Sequence, residues 1–260
     1  MNNTNWDEIR FRASSWGNLL TEPVTKTAKE AGELSVTCQK ELIKIYNQEI
    51  YGRRKDVTTK YMDKGKQVEP ESIMLASMVE DKYFEKNTEP LENEWFTGHP
   101  DIYIGDDVRH ATECHDIKSS WDLDTFMPKL IEEPDKGYVA QLNVYYDLTG
   151  AKSGSLFYCL VSAPPNILEQ EKRSLLFKMN VATEYAPEYL EAAKELEKNM
   201  IFEDIDYRER VIKINVPRDD ELIEKMKAKV PKMRTWLKNF HEKHMKLYHK
   251  TLPLMQTDAV

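Results

Sequence analysis

Residues 98–118 hold two carboxylates and one ammonium at a spacing suited to a hard cation: Asp101 after Pro100, then Asp116 and Lys118 on either side of Ile117. Apolar and β-prone residues flank Gly105-Asp106-Asp107 and predict an antiparallel hairpin turning there. Side chains two apart on a strand share a face, so Asp116 and Lys118 project together while Ile117 points into the core. Asp101, at the start of the partner strand, is placed to meet Asp116 across the ladder. Two acids and an ammonium forced together would strain a purely structural sheet. A divalent cation between the carboxylates removes that conflict and leaves the lysine to reach a water or a phosphate. Magnesium suits the donors, because it takes one or two carboxylates with water and substrate phosphate oxygens. Asp106 and Asp107 read as turn residues, and Glu113, an odd number of positions from Asp116, should face away.

The surrounding periodicity supplies the elements that must hold these groups. Residues 6–20 read as an entry segment and a short helix, with Ser14 or Ser15 as N-cap and Leu19-Leu20 inward. Residues 27–51 have helical spacing and end near Gly52, and 57–80 form the next helical stretch. Gly65 and Glu69 are four apart, hence on one helical face. Pro70 disfavours helical geometry at Glu69, which allows a break there and a restart with Pro70 at its first position. Residues 137–149 predict a helix with Gln141 and Tyr145 on one face, 154–163 a buried strand, and 210–216 a further strand. Helical stretches near 166–179 and 184–199 precede a terminal helix over 219–248, with a kink at Pro231 and with Trp236, Leu237, Phe240 and Leu247 inward.

Composition narrows the class. The chain has 40% hydrophobic residues, five Trp and thirteen Tyr, enough for one large α/β domain spanning 1–260, its core about 6–163 and an extension over 164–250. The longest apolar run, 156–163, falls well short of a membrane span. The polar Met-Asn-Asn-Thr-Asn start argues against a secretory signal. Cys38, Cys114 and Cys159 are odd in number and widely spaced, which fits a reducing cytoplasm, and they are too few for an iron–sulfur cluster. The net charge is −8, yet residues 225–250 carry nine Lys/Arg against Glu242 alone, so a basic face on an acidic protein is expected. His241 and His244 lack an acidic or Cys partner for zinc.

Four ordered blocks carry a resemblance: Trp6, Arg10 and Ser14; Gly65-Lys66-Gln67-Val68-Glu69; Pro100-Asp101 with Asp116-Ile117-Lys118; and Tyr138-Val139-Ala140-Gln141-Leu142-Asn143-Val144-Tyr145. Together they resemble the PD-(D/E)XK nuclease superfamily, and within it the phage lambda exonuclease and YqaJ-type viral recombinase family. The resemblance implies an α/β (α+β) fold, a central mixed sheet flanked by helices as in restriction endonucleases. It implies Mg²⁺ (Mn²⁺ able to substitute) on Asp101, Asp116, Glu69 and the Ile117 carbonyl, with Glu71 as fallback for Glu69. Lys118 would orient or deprotonate water, its pKa lowered for the second task, and Gln141 would orient the water or bind a phosphate, or else brace Lys118. Arg10, Arg12, Ser14, His99, Trp121 and Tyr145 are the candidates for DNA or phosphate contact. The plainer readings are a helix cap for Ser14, a space-filler for His99 and a buried aromatic for Trp121; the run 53–55, first of all a solvated charge run, and the terminal-helix lysines are further candidates for backbone contact.

The activity implied is 5′→3′ digestion of double-stranded DNA ends, leaving 3′ overhangs for a single-strand annealing protein, by a trimeric ring in a bacterial host cytoplasm. An endonuclease of the same superfamily and an inactive DNA-binding scaffold are the alternatives.

Overall fold

A computed structural model describes residues 4–54 and 59–255, with side chains through residue 247. The chain begins with β1 (Phe11–Arg12), α1 (Trp16–Leu19), α2 (Lys26–Glu30) and α3 (Val36–Tyr51). Next come α4 (Lys60–Gln67), α5 (Glu69–Glu80), β2 (Leu91–Glu92), β3 (Phe96–Gly98), β4 (Ile102–Ile104) and β5 (Glu113–Ser119). The remainder is α6 (Leu123–Phe126), α7 (Lys136–Thr149), β6 (Ser153–Cys159), α8 (Pro165–Met179), α9 (Pro187–Lys198), β7 (Val211–Pro217) and α10 (Asp220–Met255).

The seven strands form two mixed sheets, a small one in the order β1-β3-β2 and a larger one in the order β4-β5-β6-β7. β5 pairs antiparallel with β4 and parallel with β6, so both its edges are occupied. A parallel pair needs a crossover, and α7 supplies it. Alternation then sorts the side chains. Cys114, Leu156 and Tyr158 pack with Leu142 and Tyr145 of α7, whereas Ile117, Phe157 and Cys159 pack with Ile73, Leu75 and Ala76 of α5. Asp116 and Lys118 share the α7 face, as strand alternation requires.

Several local expectations change. The stretch 27–51 divides into α2 and α3, and Ser35 caps the second through Cys38 N. The helix break near Glu69 does occur, with Pro70 in the first turn of α5, so Gly65 and Glu69 belong to different helices and share no face. A Cβ at Gly65 would touch nothing within 4 Å, so close packing does not explain that glycine. The β4–β5 connection spans eight residues, with a 3-10 turn at Val108–His110 capped by Asp107. α10 runs through Pro231 without interruption, and Leu247 is exposed rather than inward. His241 and His244 both contact the Tyr46 hydroxyl, at 3.0 and 3.2 Å.

Candidate active site

The Pro100-Asp101 turn sits between β3 and β4, where Asp101 Oδ2 accepts a 2.8 Å hydrogen bond from Ile117 N. Ile102 pairs with His115, so Asp101 falls beside Asp116 in the continuing register. Asp116 is 1% exposed. Its Oδ1 accepts from Gln141 Nε2 at 3.0 Å, and Gln141 Nε2 also lies 2.7 Å from the Tyr145 hydroxyl. Asp116 Oδ2 is buried and has no hydrogen-bond partner, although Lys118 Nζ approaches it at 2.6 Å as an ion pair. Nζ also lies 4.3 Å from the centre of the Tyr138 ring. Asp101, Asp116, Ile117, Lys118, Gln141 and Tyr145 are thus gathered along the second half of β5.

Glu69 opens α5 and reaches the edge of this group, where Lys86 holds its Oε2 at 2.5 Å. Its charge, with the stronger contribution of Asp116, adds to the field at Asp101. Among the described residues no three His, Cys, Asp or Glu side chains are close enough together to hold a metal ion, so the carboxylates that converge are two. The donor set nevertheless fits a hard cation: two acids, one with a buried oxygen met by the Lys118 ammonium alone, on and beside a strand that offers carbonyl oxygens.

Burial, then Asp116, pushes the Asp101 carboxyl up to about 8, against the opposing pull of the Ile117 amide and Lys118. For Lys118 burial acts downward, but the Asp116 and Asp101 carboxylates outweigh it and hold the ammonium above the ordinary lysine range. A lysine acting as base would need the opposite shift, so beside the metal-free carboxylates Lys118 carries its proton. The raised Asp101 value has a stability consequence. Between about pH 4 and 8 the native state keeps a proton that the unfolded chain has lost, so stability falls as pH rises through that window. Asp101→Asn keeps an acceptor for Ile117 N and removes the titration. In chelator, its melting temperature is expected to exceed wild type at pH 8 and to approach it at pH 4. An equal gap at both pH values in thermal unfolding would refute the assignment.

Three further residues support the site, and two of them, Asn87 and Lys64, carry no recognisable sequence signal. Asn87, 4% exposed, donates from its side chain to Pro100 O at 3.0 Å and Glu89 O at 2.9 Å, while its main-chain N donates to Asp101 O at 2.8 Å. It therefore fixes the Pro-Asp turn. Lys64, 1% exposed, donates to Ser120 O and Trp121 O just beyond β5, and burial lowers its pKa to about 8. Tyr138 is the third, through the contact with Lys118. Gly98 completes the packing: a Cβ there would lie 2.9 Å from the Tyr145 ring, so only glycine lets the Gln141 partner sit flush.

The other candidates lie apart. Arg10 donates to Asn93 O at 2.8 Å and pairs with Glu92. Arg12, exposed, pairs in register with Thr97 and lines a shallow cleft with Arg10, Lys44 and Arg54. Ser14 is exposed in a 3-10 turn and caps nothing. Ser15 occupies the N-cap position of α1, but its hydroxyl bonds to Glu41 at 3.2 Å, so the expected cap is absent. His99 is half-buried between β3 and Pro100. Trp121 is half-buried, with Tyr61 edge-on at 5.0 Å and Lys60 4.8 Å from its ring. Of the 53–55 run, Lys55 lies outside the described residues. On α10, Arg234 is buried against Ile9 O and Glu94 O, Lys227 pairs with Asp147, and Lys229 bonds to Thr21 O, so these three brace the fold.

The mixed sheet with its α7 crossover thus carries one aspartate and the lysine on β5, with the second aspartate in the turn that enters β4. No protein-family model matches the sequence, and no curated protein sequence matches it. Among solved structures, the chain is similar to a phage-related exonuclease from Haemophilus somnus 129PT, at 24% identity and a TM-score of 0.70, covering 91% of this chain and 97% of that one. It is also similar to an alkaline exonuclease, LHK-Exo, from Laribacter hongkongensis, at 13% identity and a TM-score of 0.60, covering 95% and 98%. The same exonuclease in complex with dAMP matches at 14% identity and a TM-score of 0.57. The chain shares their fold over nearly its whole length.

Proposed function

We propose that the protein is a Mg²⁺-dependent exonuclease that digests linear double-stranded DNA, 5′→3′, leaving 3′ single strands for a recombination protein of the annealing type. The observation that carries the reading is the convergence of Asp101, Asp116 and Lys118, braced by Gln141, within a fold shared end to end with exonucleases. The dAMP complex of one such exonuclease supports release of mononucleotides. Asp101, Asp116 and the Ile117 carbonyl would hold Mg²⁺, or Mn²⁺ in its place, with Glu69 at the edge. When bound there, the ion would supply positive charge against the developing phosphate charge and would lower the pKa of the attacking water.

The chain's own groups do the rest. Gln141 and the Ile117 amide fix the two carboxylates in place. Lys118 donates from its ammonium to the attacking water or to a non-bridging phosphate oxygen. Water adds to phosphorus as the P–O3′ bond breaks, and the products are a 5′-phosphate and a 3′-hydroxyl. Arg12, paired with Thr97 four positions before Asp101, and Ser14, two positions on from Arg12, are both exposed and are offered to the DNA backbone.

The test is digestion of matched linear and covalently closed circular duplex, each strand labelled separately. Linear DNA should be consumed from its 5′ ends with Mg²⁺ or Mn²⁺, and closed circles spared. Equal cutting of circles would overturn the exonuclease reading, and no cutting with either metal would overturn the nuclease reading altogether.

A further inference from the structure

We infer that Tyr138 is the positioning residue that keeps Lys118 aimed while the carboxylates are occupied, an inference that rests on the nuclease reading above. Lys118 Nζ has two close neighbours, Asp116 Oδ2 at 2.6 Å and the Tyr138 ring at 4.3 Å from its centroid. A cation held by Asp101 and Asp116 would compete with the ammonium for Asp116 and repel it. The tyrosine face is unaffected by that competition, because its attraction for a cation comes from the ring quadrupole and needs no carboxylate.

The ring is also well placed to act as a fixed wall. Tyr138 belongs to the first turn of α7, where Asp135 Oδ1 accepts from Gly137 N at 2.8 Å and from Tyr138 N at 3.2 Å. The same helix carries Gln141, one turn on, against Asp116. One rigid element therefore sets both the carboxylate and the lysine. Tyr138 is 36% exposed, so burial alone does not account for an aromatic ring there.

Replacing the ring by an aliphatic side chain should remove the wall while sparing the fold. Tyr138→Leu is expected to lower kcat on linear duplex about tenfold to a hundredfold with KM little changed, and Tyr138→Phe to retain most of the rate. The contact itself is read separately by NMR: the Lys118 ε-methylene signal, assigned by its loss in Lys118→Met, should be ring-current shifted in wild type and Tyr138→Phe and unshifted in Tyr138→Leu. Wild-type kcat in Tyr138→Leu, equal losses in the Phe and Leu variants, or a change confined to KM would each overturn the inference. If the wild type hydrolyses no DNA but the ring-current shift is present, the nuclease reading fails and the Lys118–Tyr138 contact stands.

Discussion

Lys118→Met is expected to lower single-turnover hydrolysis of linear duplex by about 10³-fold while the protein remains folded. Methionine keeps most of the apolar stem that packs along Tyr138, so the volume lost is small. The charge lost is large in effect, because Asp116 Oδ2 has no partner other than this ammonium. Without it Asp101 also loses the pull that opposes its raised pKa, so its carboxyl holds its proton more firmly and is less ready to serve a cation. Lys118→Arg separates the two chemical roles. Arginine stays protonated and can donate but cannot serve as base, so a partial rate in Lys118→Arg supports donation. Rates measured with Mg²⁺, alongside circular dichroism to confirm folding, decide the matter; activity within tenfold of wild type in Lys118→Met would remove Lys118 from the mechanism.

The residues that make this experiment possible were legible in the sequence for a simple reason. Strand alternation has a period of two, so Asp116, Ile117 and Lys118 declare their faces without any tertiary knowledge, and the break before α5 follows from Pro70 alone. Contacts between distant main-chain and side-chain atoms leave no such trace. Asn87 and Lys64 bind carbonyls, which every residue possesses, so no residue type at position 100 or 120 announces the partner. Charge was misleading for a related reason. Arg10, Lys227 and Lys229 read as cations available to a backbone, and the fold uses them on Asn93, Asp147 and Thr21. Glycines were equally opaque, since a glycine's reason lies in what stands opposite it. Gly65 drew attention through its motif and has open space around it, whereas Gly154 drew none and is the more constrained of the two.

Gly154→Ala is accordingly expected to destabilise the protein by about 4 kcal/mol or more, at the upper end of single substitutions. Gly154 pairs with Cys114 across the parallel β5–β6 ladder. A Cβ at this position would lie 1.7 Å from the Cys114 carbonyl oxygen, 2.8 Å from its carbonyl carbon and 2.8 Å from the Tyr146 hydroxyl. Two of those atoms are backbone, so no rotamer change relieves the overlap; the strands must separate where Asp116, two residues on, depends on their register. The Tyr146 hydroxyl is committed as well, donating to Val216 O of β7 at 2.7 Å. A typical domain has only about 5–15 kcal/mol of stability in total, so the variant should be largely insoluble or unfold at much lower urea. Gly65→Ala is the matched control: it adds the same methyl to a helix with nothing within 4 Å, and should be neutral or stabilising by up to about 1 kcal/mol. Urea midpoints for the two variants falling together would mean that β5 and β6 do not approach as closely at Gly154 as this register demands, and the placement of Asp116 beside Asp101 would have to be redrawn with them.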